Sequence, residues 1–112
     1  MGARAKFPKK IINAYLEKIR RQIAVEGVLL FGSHAYGMPN KHSDVDLAII
    51  SSDFQTKIKD RLFWLSWQRE GVATSIAMDV IGYTPEEFER IEEESAIMSY
   101  AKKHGKWLYR AE

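Results

Sequence analysis

The sequence predicts an α/β or α+β fold, in which a small mixed sheet of three or four strands is flanked by helices. Apolar residues recur at helical spacing near the start of the chain, and short continuous apolar runs typical of buried strands follow. A later segment carries a helix-start signature of threonine, proline and glutamate. The 112 residues, 46% hydrophobic and 29% charged, suffice for one folded core, so we expect a single domain over residues 1–112.

The first half of the chain is predicted to form one helix and two strands. Isoleucine, leucine and tyrosine recur at three- and four-residue intervals between charges, which predicts an amphipathic helix over residues 8–25. Gly27 ends this helix, and the apolar run of residues 28–31 predicts a buried strand. Gly32 interrupts the run before a short helical turn and a loop. A second strand is expected over residues 45–51, where apolar residues resume.

The second half is predicted to alternate helices and strands. Residues 55–69 are expected to form a helix after a polar N-cap, and the apolar run 76–83 a third strand. The segment Thr84–Glu87 supplies an N-cap, a proline at the first helical position and a capping-box glutamate, so it starts a helix that contains a cluster of acids. A further helix is expected over residues 97–104, and a last short strand over residues 107–109.

Composition excludes several classes of protein. No apolar run approaches the ~20 residues that a membrane-spanning helix requires, and the first residues lack the apolar core of a signal peptide. The absence of cysteine excludes disulfide frameworks and thiolate metal sites. We therefore expect a cytoplasmic protein. The net charge of +2 is too small to indicate nucleic-acid binding, which we do not expect.

Charged residues are nevertheless grouped along the chain. Lysine and arginine are concentrated in the first fifth and near the end, and glutamate in residues 86–94. Solvated helix faces are the simplest interpretation of these groups. The alternative is that they are patches that contact a partner or an anionic substrate. A second copy of the chain, in a homo-oligomer, is one such partner.

A glycine turn and a pair of aspartates form the most informative motif. The sequence has Gly32-Ser33 and, after ten further residues, Asp44-Val45-Asp46. A strand places alternate side chains on one face, so the two carboxylates lie together, about 7 Å apart, and can hold a divalent cation. Gly32 is expected to present free backbone N–H groups to phosphate oxygens, and Ser33 to add a hydroxyl donor. An ordinary strand-to-helix turn, followed by two solvated acids at a strand end, is the alternative. A Walker A loop is excluded, because Met38-Pro39 stands where lysine and serine or threonine are required.

A third carboxylate stands inside the third predicted strand. Asp79 lies between Met78 and Val80, and a charge in an apolar strand is costly unless it is paired or binds a metal. Like charges ~4 Å apart repel by ~4 kcal/mol at an effective dielectric near 20, and a cation would relieve this repulsion. Asp79 is therefore predicted to join the other two aspartates at a metal site for a nucleoside triphosphate. A strand-end aspartate with an ordinary hydrogen bond is the alternative.

Together these residues resemble the signature of the minimal nucleotidyltransferases of the DNA polymerase β superfamily. In that signature Gly-Ser is followed after ten residues by Asp-x-Asp, and a third acidic residue stands on a later strand. The resemblance covers nearly the whole chain. The positions that match are Gly32, Ser33, Asp44, Asp46 and Asp79.

The resemblance implies metal-dependent transfer of a nucleoside monophosphate, AMP from ATP, to an acceptor hydroxyl. Two Mg²⁺ ions would be held by Asp44, Asp46 and Asp79, the last of which would also take the proton of the acceptor. Gly32 and Ser33 would hold the β- and γ-phosphates. Many relatives are antitoxins encoded beside a HEPN-domain toxin, which they modify with AMP. The resemblance therefore implies a HEPN toxin as the partner and an antitoxin role.

Two other functions remain open at this point. The chain could be a non-catalytic antitoxin that blocks its partner by contact alone, although the complete set of acids favours catalysis. It could also be a nucleotidyltransferase that acts on a small molecule such as an aminoglycoside. Such enzymes usually carry an extra helical domain, and a domain of this size leaves few residues for recognising a small substrate. We therefore expect the acceptor to be a side chain of a partner protein.

The predicted helix over residues 55–69 has more apolar side chains than one core face needs. Ile58, Leu62 and Leu65 are expected to form its core stripe. Three aromatic residues lie outside this stripe: Phe63, Trp64 and Trp67. Core packing is one interpretation of these rings. An exposed anchor for a partner, or for a second copy of the chain, is the other.

Three further residues lie in the loop between the glycine turn and the aspartates: His34, Lys41 and His42. They are candidates for contacts with the nucleotide, and Lys41 in particular for a phosphate contact. Solvated loop side chains are the alternative.

Overall fold

The computed structural model describes residues 6–40 and 42–111. Within these residues the chain forms four strands and six helices. In chain order they are α1 (Lys9–Arg20), β1 (Gly27–Phe31), α2 (Ser33–Tyr36), β2 (Val45–Ile50), α3 (Asp53–Thr56), α4 (Arg61–Trp67), β3 (Met78–Tyr83), α5 (Pro85–Glu94), α6 (Ala96–His104) and β4 (Lys106–Arg110).

The four strands form one mixed sheet in the order β3-β2-β1-β4. Strand β1 is antiparallel to both β2 and β4, whereas β2 and β3 are parallel and are connected through α3 and α4. This mixed sheet flanked by helices confirms the predicted fold class. Strand β2 has neighbours on both sides and is buried for most of its length, which explains its nearly continuous run of apolar residues.

Alternate residues of β2 pack into two cores on opposite faces of the sheet. Val45, Leu47 and Ile49 belong to the larger core, which α1 and α4 cover. Ala48 belongs to the smaller core, which includes residues of α6. Because side chains alternate along a strand, Asp46 lies on the same face as Ala48, toward α5 and α6.

Helix α1 is amphipathic as predicted, but it is shorter than the expected range of residues 8–25. It ends at Arg20, because the N–H groups of Gln22 and Ile23 both donate to the Ile19 carbonyl in a terminal turn. Its buried residues, which the periodicity predicted, are Ile12, Tyr15, Leu16 and Ile19. In the described part of the chain, no helix is both long and apolar enough to span a bilayer.

The expected continuous helix over residues 55–69 is wrong. The chain forms two short helices there, α3 and α4, separated by residues 57–60. The Asp60 carboxylate accepts the N–H of Phe63 and so starts a new helix. The Arg61 side chain then donates to the carbonyls of Phe54 and Gly82. These bonds link the start of α4 to α3 and β3 and so stabilise the break.

This break changes which side chains of α4 face the core. Leu65 is buried, and Trp64 packs partly buried against the core, with its ring 6.5 Å from that of Phe54. The expectation that Leu62 is part of the core stripe is wrong, because α4 turns this side chain outward to solvent. Phe63 and Trp67 are also exposed, as the second interpretation of the aromatic residues required.

The start of the third strand is also later than expected, at Met78 rather than residue 76. The guanidinium of Arg69 donates to the carbonyls of Ala73 and Ile76. These bonds engage backbone carbonyls just before the strand, so this segment is held in an irregular conformation.

The capping box at the start of α5 is confirmed. The Thr84 hydroxyl accepts the N–H of Glu87 at 3.2 Å, and the Glu87 carboxylate accepts the N–H of Thr84 at 2.9 Å. The same carboxylate pairs with Arg61, which links α5 to the start of α4. The cap therefore joins helix initiation to tertiary packing.

We predict that Thr84→Ala lowers the free energy of unfolding by about 1 kcal/mol, because the N-cap acceptor is lost. Thr74→Ala is the matched control, since it removes the same atoms from an exposed irregular segment. Urea denaturation of both variants measures the difference. Equal stabilities for the two variants would contradict a stabilising cap.

Candidate active site

The register of the sheet places two of the three candidate aspartates side by side. Asp46 of β2 is paired with Asp79 of β3 on one side and with Phe31 of β1 on the other. Residues paired across strands point to the same face, and neighbouring strands lie about 4.8 Å apart. The two carboxylates therefore share one face of the sheet, at the end where β2 and β3 begin.

Asp44 lies just before β2 and is exposed to solvent. Burial raises the pKa of Asp46 above its ordinary value, and the negative charges of Asp79 and Asp44 raise it further. The His34 ring acts in the opposite direction on the pKa of Asp46. The carboxylates of Asp79 and Asp44 thus each repel that of Asp46.

The donor set suits a magnesium ion that is shared with a substrate. Among residues 6–40 and 42–111, no three histidine, aspartate or glutamate side chains come close enough together to hold one ion by themselves. Mg²⁺ is usually bound by only one or two carboxylates, together with water and substrate phosphates. Asp46, with Asp79 beside it and Asp44 nearby, supplies hard oxygen donors of this kind.

Gly32 lies directly against the Asp46 carboxylate. Its backbone has φ 72° and ψ −158°, a region that is essentially restricted to glycine. A Cβ at this position would lie 2.0 Å from Oδ2 of Asp46, so a side chain would displace the carboxylate. Glycine is thus required at position 32 both by the backbone conformation and by the aspartate opposite.

The turn after Gly32 leaves backbone donors at the edge of the site. The N–H groups of Ala35 and Tyr36 donate to the Gly32 carbonyl, and that of Gly37 donates to the Ser33 carbonyl. The first N–H groups of a helix have no partner within the helix, and here they belong to Ser33 and His34. The arrangement can therefore offer hydrogen bonds to phosphate oxygens next to the Asp46 carboxylate.

Two grooves meet at Asp79. The first groove has a volume of about 280 Å³, contains Asp46 and Asp79, and is lined on its apolar side by Phe31, Ile81 and Met98. These three residues did not stand out in the sequence. Ile81 could have been found from its spacing, because it is two residues after Asp79 and so shares its face, but the contributions of β1 and α6 depend on tertiary packing.

The second groove lies between α4 and the outer side of β3 and has a volume of about 200 Å³. One wall consists of side chains of α4 and of the turn that follows it. The other wall belongs to β3 and includes Asp79. The lining residues are Leu62, Ser66, Arg69, Met78, Asp79 and Val80.

The two loop histidines lie around a separate polar cavity of about 490 Å³. His34 is buried, with Nε2 3.4 Å from the Ser43 carbonyl oxygen and its ring edge-on to that of Phe7. His42 is exposed, and its backbone N–H donates to the Asn40 side chain. Lys41, the candidate phosphate contact, lies outside the described residues.

The family model of the nucleotidyltransferase domain matches residues 9–107. The chain therefore belongs to the nucleotidyltransferase domain family, and the resemblance noted from the sequence is confirmed. No curated protein matches the sequence.

Solved structures of similar fold agree with this assignment. A protein from Sulfolobus solfataricus assigned as a nucleotidyltransferase has a TM-score of 0.62 and 20% identity, over 90% of this chain and 78% of that chain. A toxin–antitoxin structure with AMP-PNP has a TM-score of 0.59 and 22% identity, over 89% and 73%. A mutant of the toxin–antitoxin MntA–HpeT has a TM-score of 0.59 and 20% identity, over 89% and 73%. At these identities the similarity shows the fold.

We predict that Gly32→Ala destabilises the protein more than Gly71→Ala. Both glycines have positive φ, 72° and 79°, but a Cβ at position 71 would meet nothing within 4 Å. Gly71→Ala should therefore cost only the backbone term, about 1–2 kcal/mol. Gly32→Ala should cost more, and part of the excess should disappear in an Asp46→Ala background. Urea denaturation gives this coupling, and strictly additive effects would contradict the contact between Gly32 and Asp46.

We also predict that Asp46→Asn stabilises the metal-free protein at pH 7, by at most about 1 kcal/mol because Asp46 remains partly solvated. The pKa of Asp46 is raised in the fold from 3.8, so its ionisation destabilises the fold as the pH rises through the raised value. As the pH falls through 3.8 the carboxyl becomes largely protonated in both states, and the gain should shrink. Urea denaturation in EDTA at pH 7 and at pH 3.5 tests this. A gain that is equal at both values would exclude charge repulsion as its cause.

Proposed function

We propose that this chain transfers a nucleoside monophosphate, AMP from ATP, to a hydroxyl group of a partner toxin and thereby acts as an antitoxin. The observation that carries the proposal is the position of Asp46. Its carboxylate lies against Gly32 on one side and is paired with Asp79 on the other. The glycine turn, the Asp46 carboxylate and the Asp79 carboxylate therefore follow one another across the sheet.

The nucleotide is proposed to bind with its β- and γ-phosphates at Gly32 and Ser33. The glycine at position 32 lets the Asp46 carboxylate lie against the turn, and the N–H groups of Ser33 and His34 would supply donors to the phosphate oxygens beside it. The Ser33 hydroxyl adds a further donor. In this proposed arrangement the α-phosphate, which is next along the nucleotide, would lie near Asp46.

The three aspartates, Asp44, Asp46 and Asp79, are proposed to hold two Mg²⁺ ions. When bound, Mg²⁺ would neutralise phosphate charge and polarise the α-phosphate. The residues fit this role, because the mutual repulsion that raises the pKa of Asp46 is the repulsion that a cation would relieve. Positioning and neutralisation are the main requirements of such transfers.

The chemistry of the step follows from these positions. The acceptor oxygen attacks the α-phosphorus, and its proton passes to the Asp79 carboxylate. The bond between the α-phosphorus and the oxygen that bridges to the β-phosphate breaks, and pyrophosphate leaves from the side of Gly32 and Ser33. Asp79 is suited to the proton transfer because it is exposed at the edge strand, on the side away from the glycine turn.

The acceptor is proposed to be a protein, a toxin of the HEPN type. Two of the similar solved structures are toxin–antitoxin structures, and one of them contains AMP-PNP, an analogue of ATP. These similarities support an antitoxin role for this chain, together with the Gly-Ser and Asp-x-Asp signature of its sequence. A role that depends on contact alone would not require the Asp46 carboxylate beside the glycine turn.

We predict that Asp46→Asn and Asp79→Asn each abolish nucleotidyl transfer while the fold is retained. The assay incubates the chain with labelled ATP, Mg²⁺ and the purified product of the gene adjacent to its own, and measures label on that protein. Asp60→Asn is the matched control, because asparagine still caps α4. Position 60 is exposed and does not line either of the two grooves at Asp79.

Full transfer by Asp46→Asn or Asp79→Asn would remove that residue from the site. Neutralisation of the toxin by all three variants without any label would favour the contact-only antitoxin. Label on an aminoglycoside rather than on the protein would favour the small-molecule enzyme.

A further inference from the structure

The outer side of α4 carries an apolar surface that the core does not use. Leu62, Phe63 and Trp67 are exposed by 65%, 62% and 63%, and we call these three side chains the α4 apolar surface. The rings of Phe63 and Trp67 stack on each other, 5.8 Å apart at an interplanar angle of 27°. Adjacent exposed apolar side chains of this size are typical of interaction sites. The inward contacts of α4 come instead from Trp64 and Leu65.

This surface continues without interruption to the candidate active site. Leu62 belongs to the α4 apolar surface and also lines the second groove, whose opposite wall includes Asp79. The groove is open along the outer side of β3, which is an edge strand. A molecule that covers Leu62 therefore has a path to the Asp79 carboxylate that does not pass over the glycine turn.

The geometry of in-line transfer indicates whether the acceptor or the nucleotide approaches through the second groove. The attacking and leaving oxygens lie on opposite sides of the phosphorus that is transferred. In the proposed function the leaving pyrophosphate is at Gly32, at the end of β1, and the strand order β3-β2-β1 places Asp79 on the far side of Asp46. Among the described residues, the lining of the second groove includes none from β1 or α2. The acceptor, and not the nucleotide, approaches from this side.

The chemistry of the surface favours a polypeptide over a small polar acceptor. Small molecules bind in concave sites with a few converging polar groups, whereas exposed tryptophan and phenylalanine are typical anchors of protein interfaces. Arg69 is the one cation among the described residues that line the second groove, and its guanidinium already donates to the carbonyls of Ala73 and Ile76. A second copy of the chain seated here would cover the groove and close the path to Asp79.

We infer that the acceptor protein docks on the α4 apolar surface and reaches Asp79 through the second groove. The inference rests on the proposed function and adds to it the surface by which the acceptor is recognised. The face of the acceptor protein that docks here is expected to be an apolar patch next to the hydroxyl that receives the nucleotide.

The test compares a double variant, Phe63→Ala with Trp67→Ala, with the parent chain. The probe is the purified product of the adjacent gene, and its affinity is measured by surface plasmon resonance. We expect affinity to fall by about 30-fold or more, as for interface hot spots. Affinity for ATP with Mg²⁺ and the thermal midpoint should stay as in the parent. Leu108→Ala, an apolar truncation on the opposite edge strand, should leave both affinities unchanged.

Phe63→Glu provides a second variant, because a charge on an exposed position retains the fold and should weaken docking further. Transfer at low acceptor concentration should fall in parallel with affinity, while the rate at saturating acceptor is retained. This split separates docking from catalysis, since loss of Asp79 would lower the rate at saturation.

The two proposals can fail independently. Absence of label with the parent chain would overturn the proposed function, whatever the affinities are. Parental affinity in both the double variant and Phe63→Glu would overturn the docking inference, even if transfer is observed. A shift of the isolated chain from dimer to monomer on loss of Phe63 and Trp67 would assign the surface to a second copy and would also overturn it.

Discussion

The lateral register of β2 between β1 and β3 is the constraint on which the site depends. Asp46 has Phe31 on one side and Asp79 on the other only in this register. A slip of one residue would turn Asp46 into the larger core and expose the apolar residues that alternate with it. Those residues, Val45, Leu47 and Ile49, are buried beneath α1 and α4 and thereby fix the register. Packing on one face of the sheet therefore positions the carboxylates on the other.

The same arrangement lowers the stability of the protein where its proposed chemistry occurs. Burial and two neighbouring negative charges disfavour the ionised form of Asp46, and Gly32 is held in a conformation that other residues avoid. Shifted carboxyl groups in a cleft are typical of functional sites. The core on the opposite face offsets this cost, and a bound cation with a triphosphate would remove much of the repulsion. In the free protein the repulsion at Asp46 is therefore unrelieved, whereas in the proposed substrate complex the cation would offset it.

Local sequence signals predicted more of this molecule than its packing signals did. The capping box at Thr84 and the buried face of α1 depend on spacing along the chain, which can be read directly from the sequence. The predicted shared face of Asp44 and Asp46 also rests on spacing, but Asp44 lies before the first residue of β2. The break at residues 57–60 depends on Arg61, whose side chain donates hydrogen bonds to the carbonyls of Phe54 and Gly82. No local sequence pattern predicts such contacts. The assignment of Leu62 to the core was wrong for a related reason. Helical spacing shows which side chains share a face of the helix, but it does not show which face packs against the core.

The position of Asp79 beside Asp46 depends on the register between two distant segments, and it was predicted from a lone carboxylate in an apolar strand and from the family signature, not from local spacing. The central claim, that Asp46 joins a phosphate-binding turn to a metal site, is tested most directly by a crystal structure with Mn²⁺ and a non-hydrolysable ATP analogue. Anomalous diffraction should place Mn²⁺ at coordinating distance from the Asp46 carboxylate, with the β- and γ-phosphates at the N–H groups of Ser33 and His34. An analogue bound elsewhere, for example in the cavity of His34 and His42, with no Mn²⁺ at Asp46, would contradict the claim.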